Sequence, residues 1–133
     1  MNKTILIVDD EPHVRRVLQL TLERAGYTVK VEYDGKAGLD HVLADPPDVL
    51  VSDINMPRMT GREMVQAVNE ALPERTFPIL VMTSLTAREE RDWVQAIANV
   101  DFLEKPVSPR ELLARVTRLF QTNEEASVEA TGA

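Results

Sequence analysis

The chain contains no cysteine in 133 residues. That excludes a disulfide framework, a thiolate metal site and a thiol nucleophile, and it fits a reducing compartment. Long apolar runs are missing too. Ile5–Val8 and Val49–Val51 are far too short to cross a bilayer, so no membrane insertion is expected. Met1-Asn2-Lys3-Thr4 leads into a short apolar run and then into acids, unlike a secretory signal. No glycine-rich nucleotide loop is present. Positive charge is in deficit, with 15 Lys and Arg against 22 Asp and Glu and a formal charge of −7. Direct nucleic-acid binding through the phosphate backbone is therefore not expected.

What is present is 44% hydrophobic residues, enough to fill the core of one domain. Short apolar runs alternate with helix-period stretches, which implies a parallel sheet with helices on both faces. The first strand spans about Thr4–Val8. Glu11 and Pro12 then open a helix with an acid at the cap and proline in its first turn. Gly26 ends that helix. Val29, Val31 and Tyr33 alternate with polar residues, as on a half-exposed edge strand. Leu39, Val42 and Leu43 mark a second helix, stopped by Pro46-Pro47; Gly38 inside it costs about 0.5–1 kcal/mol. Val49–Ser52 is a buried strand, Pro78–Met82 a fourth, and Phe102–Leu103 a short fifth. Thr60 with Glu63, Thr86 with Glu89, and Ser108 with Glu111 have capping-box spacing. The count is five βα units. Residues 122–133 are small and acidic and are expected to be a disordered tail after a domain of residues 1–121.

The chemistry concentrates at strand ends. Asp9 and Asp10 follow the first strand, Asp53 the third, and Lys105 the fifth. In an open parallel sheet, ligands bind at these ends. If the first and third strands are neighbours, the three acids share one pocket. At about 4 Å and an effective dielectric near 20, each pair would repel by about 4 kcal/mol. Either a cation resides there or some of the groups hold protons. Taken singly, Asp10 or Glu11 could be a helix cap and Asp53 a turn acid. Together they point to a site of hard oxygen ligands, suited to Mg²⁺, Mn²⁺ or Ca²⁺ rather than zinc. His13 and His41 fall on positions expected to be exposed and without a ligand role.

These residues resemble a known family. Ile7-Val8-Asp9-Asp10-Glu11-Pro12, Ser52-Asp53-Ile54-Asn55-Met56-Pro57 with Gly61, Thr83-Ser84, and Phe102-Leu103-Glu104-Lys105-Pro106 match the receiver domain of two-component response regulators. The resemblance runs from about Lys3 to Gln121. It implies a flavodoxin-like α/β fold, a doubly wound parallel sheet of order 2-1-3-4-5, in a bacterial, cytoplasmic signalling protein. It implies that Asp53 is the phosphoacceptor. Asp10 and Asp53 would hold Mg²⁺ (Mn²⁺ as a substitute) through their carboxylates, Asn55 through its carbonyl, and Asp9 through water. Lys105 and Thr83 would stabilise the phosphoryl group. Thr83 and Phe102 would form the switch, and the bond before Pro106 would be cis. The glycine that the family usually carries before the fifth strand is missing from Ala98-Asn99-Val100; Asn99 can supply a left-handed turn instead.

The implied partners are a sensor histidine kinase or histidine phosphotransfer protein, docking near His13, Arg15, Arg16 and Leu20. A downstream protein would meet the face of the fourth helix, fifth strand and fifth helix, where Arg88, Arg91, Trp93, Arg110, Arg115 and Arg118 fall. With no room for an output domain after Gln121, a stand-alone receiver and a receiver from a longer regulator or hybrid kinase are both open. The rival class is a Mg²⁺-dependent aspartyl-phosphate phosphohydrolase, but Asn55 stands where those enzymes usually need an acid. The expected protein is a signalling module, slow to hydrolyse its own acyl phosphate, rather than a metabolic enzyme.

Overall fold

The computed structural model describes the backbone of residues 3–84 and 88–132, and side chains for residues 3–84 and 91–121. Ten elements alternate: β1 Thr4–Val8, α1 Pro12–Arg24, β2 Thr28–Glu32, α2 Gly35–Ala44, β3 Val49–Asp53, α3 Gly61–Ala71, β4 Ile79–Thr83, α4 Arg88–Ala96, β5 Val100–Glu104 and α5 Pro109–Gly132. The five strands form one parallel sheet of order β2-β1-β3-β4-β5.

β1, β3 and β4 lie inside the sheet with apolar residues on both faces, as a sheet covered on two sides requires. Leu6, Val8, Leu50, Ile79 and Val81 face one core with Met64 and Val68 of α3 and Trp93 of α4. Ile5, Ile7, Val49, Val51, Leu80 and Met82 face the other with Leu18 and Leu22 of α1 and Leu112 and Val116 of α5. The alternation along each strand assigns its side chains to these two layers.

Local signals set most helix ends. Pro12 starts α1, although Glu11 makes no side-chain cap bond. Gly26 leaves α1 at φ +102°. Asp34 caps α2 by accepting from Ala37 N at 2.8 Å. Thr60 and Glu63 form a reciprocal capping box on α3. Ser108 Oγ accepts from Glu111 N at 3.0 Å at the start of α5. Asn99 adopts φ 61°, the left-handed turn that replaces a glycine. The expected Thr86–Glu89 box and the Arg88 side chain lie outside the described residues.

Several expectations are corrected. The strand ends run further, so Asp53 and Thr83 are the last residues of their strands. β5 begins at Val100 because it pairs with β4 along its whole length. The backbone of α5 runs to Gly132. His41 is half-buried, with Nδ1 3.2 Å from Glu32 Oε1, rather than exposed. Gly38 is not a tolerated defect. A Cβ there would come within 2.8 Å of both Met64 Sδ and Val8 Cγ2, so the α2 backbone can approach the sheet only without one.

Candidate phosphoacceptor site

The register of β1 against β3 builds the site. Val8 pairs with Ser52, so Asp9 and Asp53 emerge side by side at the C-terminal edge. Carboxylate oxygens of Asp9, Asp10 and Asp53 lie within 4.8 Å of one another. Asp53 is 2% exposed and Asp9 1%, whereas Asp10 is open to solvent. Lys105 reaches across from the loop after β5, placing Nζ 2.6 Å from Asp53 Oδ1. The contact is ionic rather than directional, since no well-oriented hydrogen bond reaches that oxygen.

Backbone contacts hold these groups in place. Lys105 N donates to Thr83 O at 2.7 Å, and Asp9 N to Glu32 O at 3.2 Å. The Lys105–Pro106 bond is cis. Ser52 Oγ donates to the Asp53 carbonyl at 2.9 Å. Gly61 N donates to Ile54 O at 2.8 Å. A Cβ on Gly61 would run into the Asp53 carbonyl, so only glycine lets α3 start this close to the end of β3. Thr83 is buried at the end of β4, next to the Met82 that pairs with Asp53. Asn55 is exposed two residues beyond Asp53.

Asp9 bears the strain of the cluster. Burial, above all, pushes its carboxyl up from 3.8 to about 6; the Asp53 and Asp10 charges add to this, while the Glu11 N–H and Lys105 oppose it. Asp9 Oδ1 accepts from Glu11 N at 2.9 Å. Its Oδ2 is buried without a partner. An orphaned buried carboxylate oxygen beside two further acids, with no nitrogen or sulfur donor, fits a hard divalent cation.

Phe102 sits on β5, half-buried against the core, and the Arg91 guanidinium lies 5.6 Å from its ring. Trp93 is 5% exposed and belongs to the core, which removes it as a surface anchor. Arg115 pairs with Asp101 at 2.6 Å. Two residues near the acids escaped the sequence reading as site residues. Arg15 had been seen only as a docking candidate and Tyr33 only as an edge-strand residue, yet they stack on each other beside Asp9.

Comparison with known proteins gives the same picture. The family described as "Response regulator receiver domain" matches residues 5–117. The alkaline phosphatase synthesis transcriptional regulatory protein PhoP of Bacillus subtilis is 35% identical over 127 residues, covering 96% of this chain and 52% of that protein. The response regulator MprA of Mycobacterium bovis is 37% identical over 131 residues, covering 98% of this chain and 56% of that protein. The chain thus spans about half the length of the curated relatives it matches. Among solved structures, the chemotaxis protein CheY4 of Vibrio cholerae superposes with a TM-score of 0.81 at 35% identity, covering 90% of this chain and 99% of that one. No helix among the described residues is long and apolar enough to cross a membrane. With its strand order, its acid pocket and this likeness in hand, the chain belongs to the receiver domains of two-component response regulators.

Proposed function

We propose that this chain is a phosphorylation-activated switch that accepts a phosphoryl group on Asp53. The observation that carries the reading is the ion pair between Lys105 Nζ and Asp53 Oδ1 at 2.6 Å, set beside the Asp9 and Asp10 carboxylates. A buried nucleophilic carboxylate with a mobile point charge next to it suits phosphoryl transfer, where positioning and charge stabilisation dominate.

The donor is the phosphohistidine of a sensor kinase or phosphotransfer protein. An Asp53 carboxylate oxygen forms the new O–P bond as the donor's P–N bond breaks, and the bonding pair stays on the imidazole nitrogen. Lys105 then follows the charge from the carboxylate to a phosphoryl oxygen. The Thr83 hydroxyl donates to a second one. In the slow reversal, water forms the O–P bond, the Asp53–phosphorus bond breaks, and the carboxylate and inorganic phosphate are released with the proton going to solvent. Asp10 and Asp53 would hold Mg²⁺, or Mn²⁺, directly, Asn55 through its carbonyl and Asp9 through water; the ion supplies charge neutralisation to the transferring group.

Movement of Thr83 toward the phosphoryl group frees space for Phe102, whose ring already borders the surface beside Arg91. That couples the new charge to the α4-β5-α5 face, where Arg91, Arg110, Arg115 and Arg118 would meet a downstream protein. The α1 surface around His13, Arg16 and Leu20 would meet the donor. The test is intact mass after incubation with a small acyl phosphate and Mg²⁺. One phosphoryl group is gained by the wild type. An Asp53→Asn protein that gained it as well would refute the assignment.

A further inference from the structure

Arg15 and Tyr33 lie outside the set that would touch the phosphoryl group, yet they grip the loop that carries two of its acids. Arg15 is in the first turn of α1, and its Nη1 donates to the backbone carbonyl of Asp9 at 2.8 Å. Its guanidinium carbon lies 4.2 Å from the centroid of the Tyr33 ring, well inside cation–π range. Tyr33 follows β2 directly and is 59% exposed, so its ring is not core packing. The backbone bond from Asp9 N to Glu32 O makes a second tie between the same two loops.

The chain of contacts continues beyond Tyr33. Asp34 caps α2 with one oxygen and takes Arg58 Nη1 with the other at 3.4 Å. Arg58 stands in the loop after Asp53, at φ 69°. The three loops that surround the acids are thereby linked on their outer side.

Such a frame has a physical purpose. Three carboxylates gathered within 4.8 Å repel one another, and Lys105 pairs with only one of them, Asp53. Asp9 is held by Glu11 N on Oδ1 and by its own N–H on Glu32 O, but its Oδ2 is buried without a partner. Arg15 does not neutralise any of the three; its described contacts are a carbonyl and a ring. We propose that Arg15 and Tyr33 are positioning residues, a guanidinium–ring clamp that holds the Asp9–Asp10 loop ready for the divalent cation. The inference rests on the phosphoacceptor reading above.

The clamp and a simple charge effect predict opposite signs. If Arg15 acted only as a nearby cation, Arg15→Gln would tighten Mg²⁺ binding by removing a repelling charge. If it acts as a clamp, Arg15→Gln weakens binding. The experiment titrates the full chain with Mg²⁺ alone by calorimetry, for wild type, Arg15→Gln, Tyr33→Ala and Tyr33→Phe. The expected result is a loss of about three- to tenfold in affinity for Arg15→Gln and Tyr33→Ala, with Tyr33→Phe close to wild type because the ring is kept. Labelling by a small acyl phosphate is then followed against Mg²⁺ concentration. The clamp variants need more Mg²⁺ but approach the wild-type rate once it saturates, whereas general damage lowers the saturated rate. Tyr33→Ala, at a mostly exposed site, keeps the fold testable should Arg15→Gln melt. Unchanged affinity in Tyr33→Ala, or tighter binding in Arg15→Gln, would overturn the clamp. A wild type that is never labelled would sink the phosphoacceptor reading instead, and the calorimetric comparison would still decide the clamp.

Discussion

Replacing Asp9 by Asn is expected to stabilise the cation-free protein at neutral pH. The Asp9 carboxyl is 1% exposed, its Oδ2 has no partner, and its pKa is raised from 3.8 to about 6. At about 1.4 kcal/mol per pH unit, holding this group ionised costs the folded state about 3 kcal/mol. The folded protein keeps the proton to higher pH than the unfolded chain does. The penalty is therefore absent below pH 3.8, grows between 3.8 and about 6, and is complete above that. Asn keeps the Oδ1 acceptor that Glu11 N uses at 2.9 Å, and it offers an N–H to the neighbouring acids. Some of the gain is lost in burying the amide, which leaves about 1–2 kcal/mol. Urea denaturation in a chelator at pH 7.5 and at pH 4.5, and with Mg²⁺ at pH 7.5, measures it. The variant should be more stable than wild type at pH 7.5 without metal. The Asp9 penalty should fall to about a third at pH 4.5, where folded wild-type Asp9 is largely protonated but the unfolded chain's is not, so the gap narrows there; it should also shrink when Mg²⁺ neutralises the pocket. A variant no more stable than wild type at pH 7.5, or a gap indifferent to both pH and Mg²⁺, would refute the reasoning.

Three further outcomes follow from the contacts. Lys105→Met strips the nearby cation from buried Asp53 and should cost about 1–3 kcal/mol, part of it recovered by Mg²⁺ in the same denaturation series. Gly38→Ala should destabilise despite the better helix propensity of alanine, because its Cβ meets Met64 and Val8 at 2.8 Å; a rise in melting temperature would contradict the close packing of α2 on the sheet. Thr60→Ala removes the cap of α3 and should cost about 1 kcal/mol, seen as a lower urea midpoint with an unchanged slope.

Much of the fold was legible because its signals are local. Apolar runs bounded by Pro, Gly and acids marked the strands, and Thr60–Glu63 and Ser108–Glu111 marked helix starts. Boundaries were less legible. β5 looked two residues long, because Asp101 and Glu104 are polar and their place in the sheet comes from pairing with β4. Gly38 looked like a flaw because its value lies in side chains of β1 and α3, remote in sequence. Trp93 read equally as an interface anchor or as half-buried packing until α4 turned it into the core.

By itself the sequence determined that five βα units would form and that acids and a lysine would stand where strands end. These are properties of short windows: period, caps and breakers. The residues' own patterning left the strand order open and only the family resemblance implied it; the tertiary structure sets β1 beside β3 and brings Asp9 and Asp10 within 4.8 Å of Asp53. It also set the separation of Lys105 Nζ from Asp53, a pairing the resemblance implied, at 2.6 Å, and it decided that Arg15 meets Tyr33 rather than a carboxylate. Strand order, burial and stacking come from packing the whole chain at once. No local preference of Asp9 or Tyr33 encodes the partner it finds across the sheet.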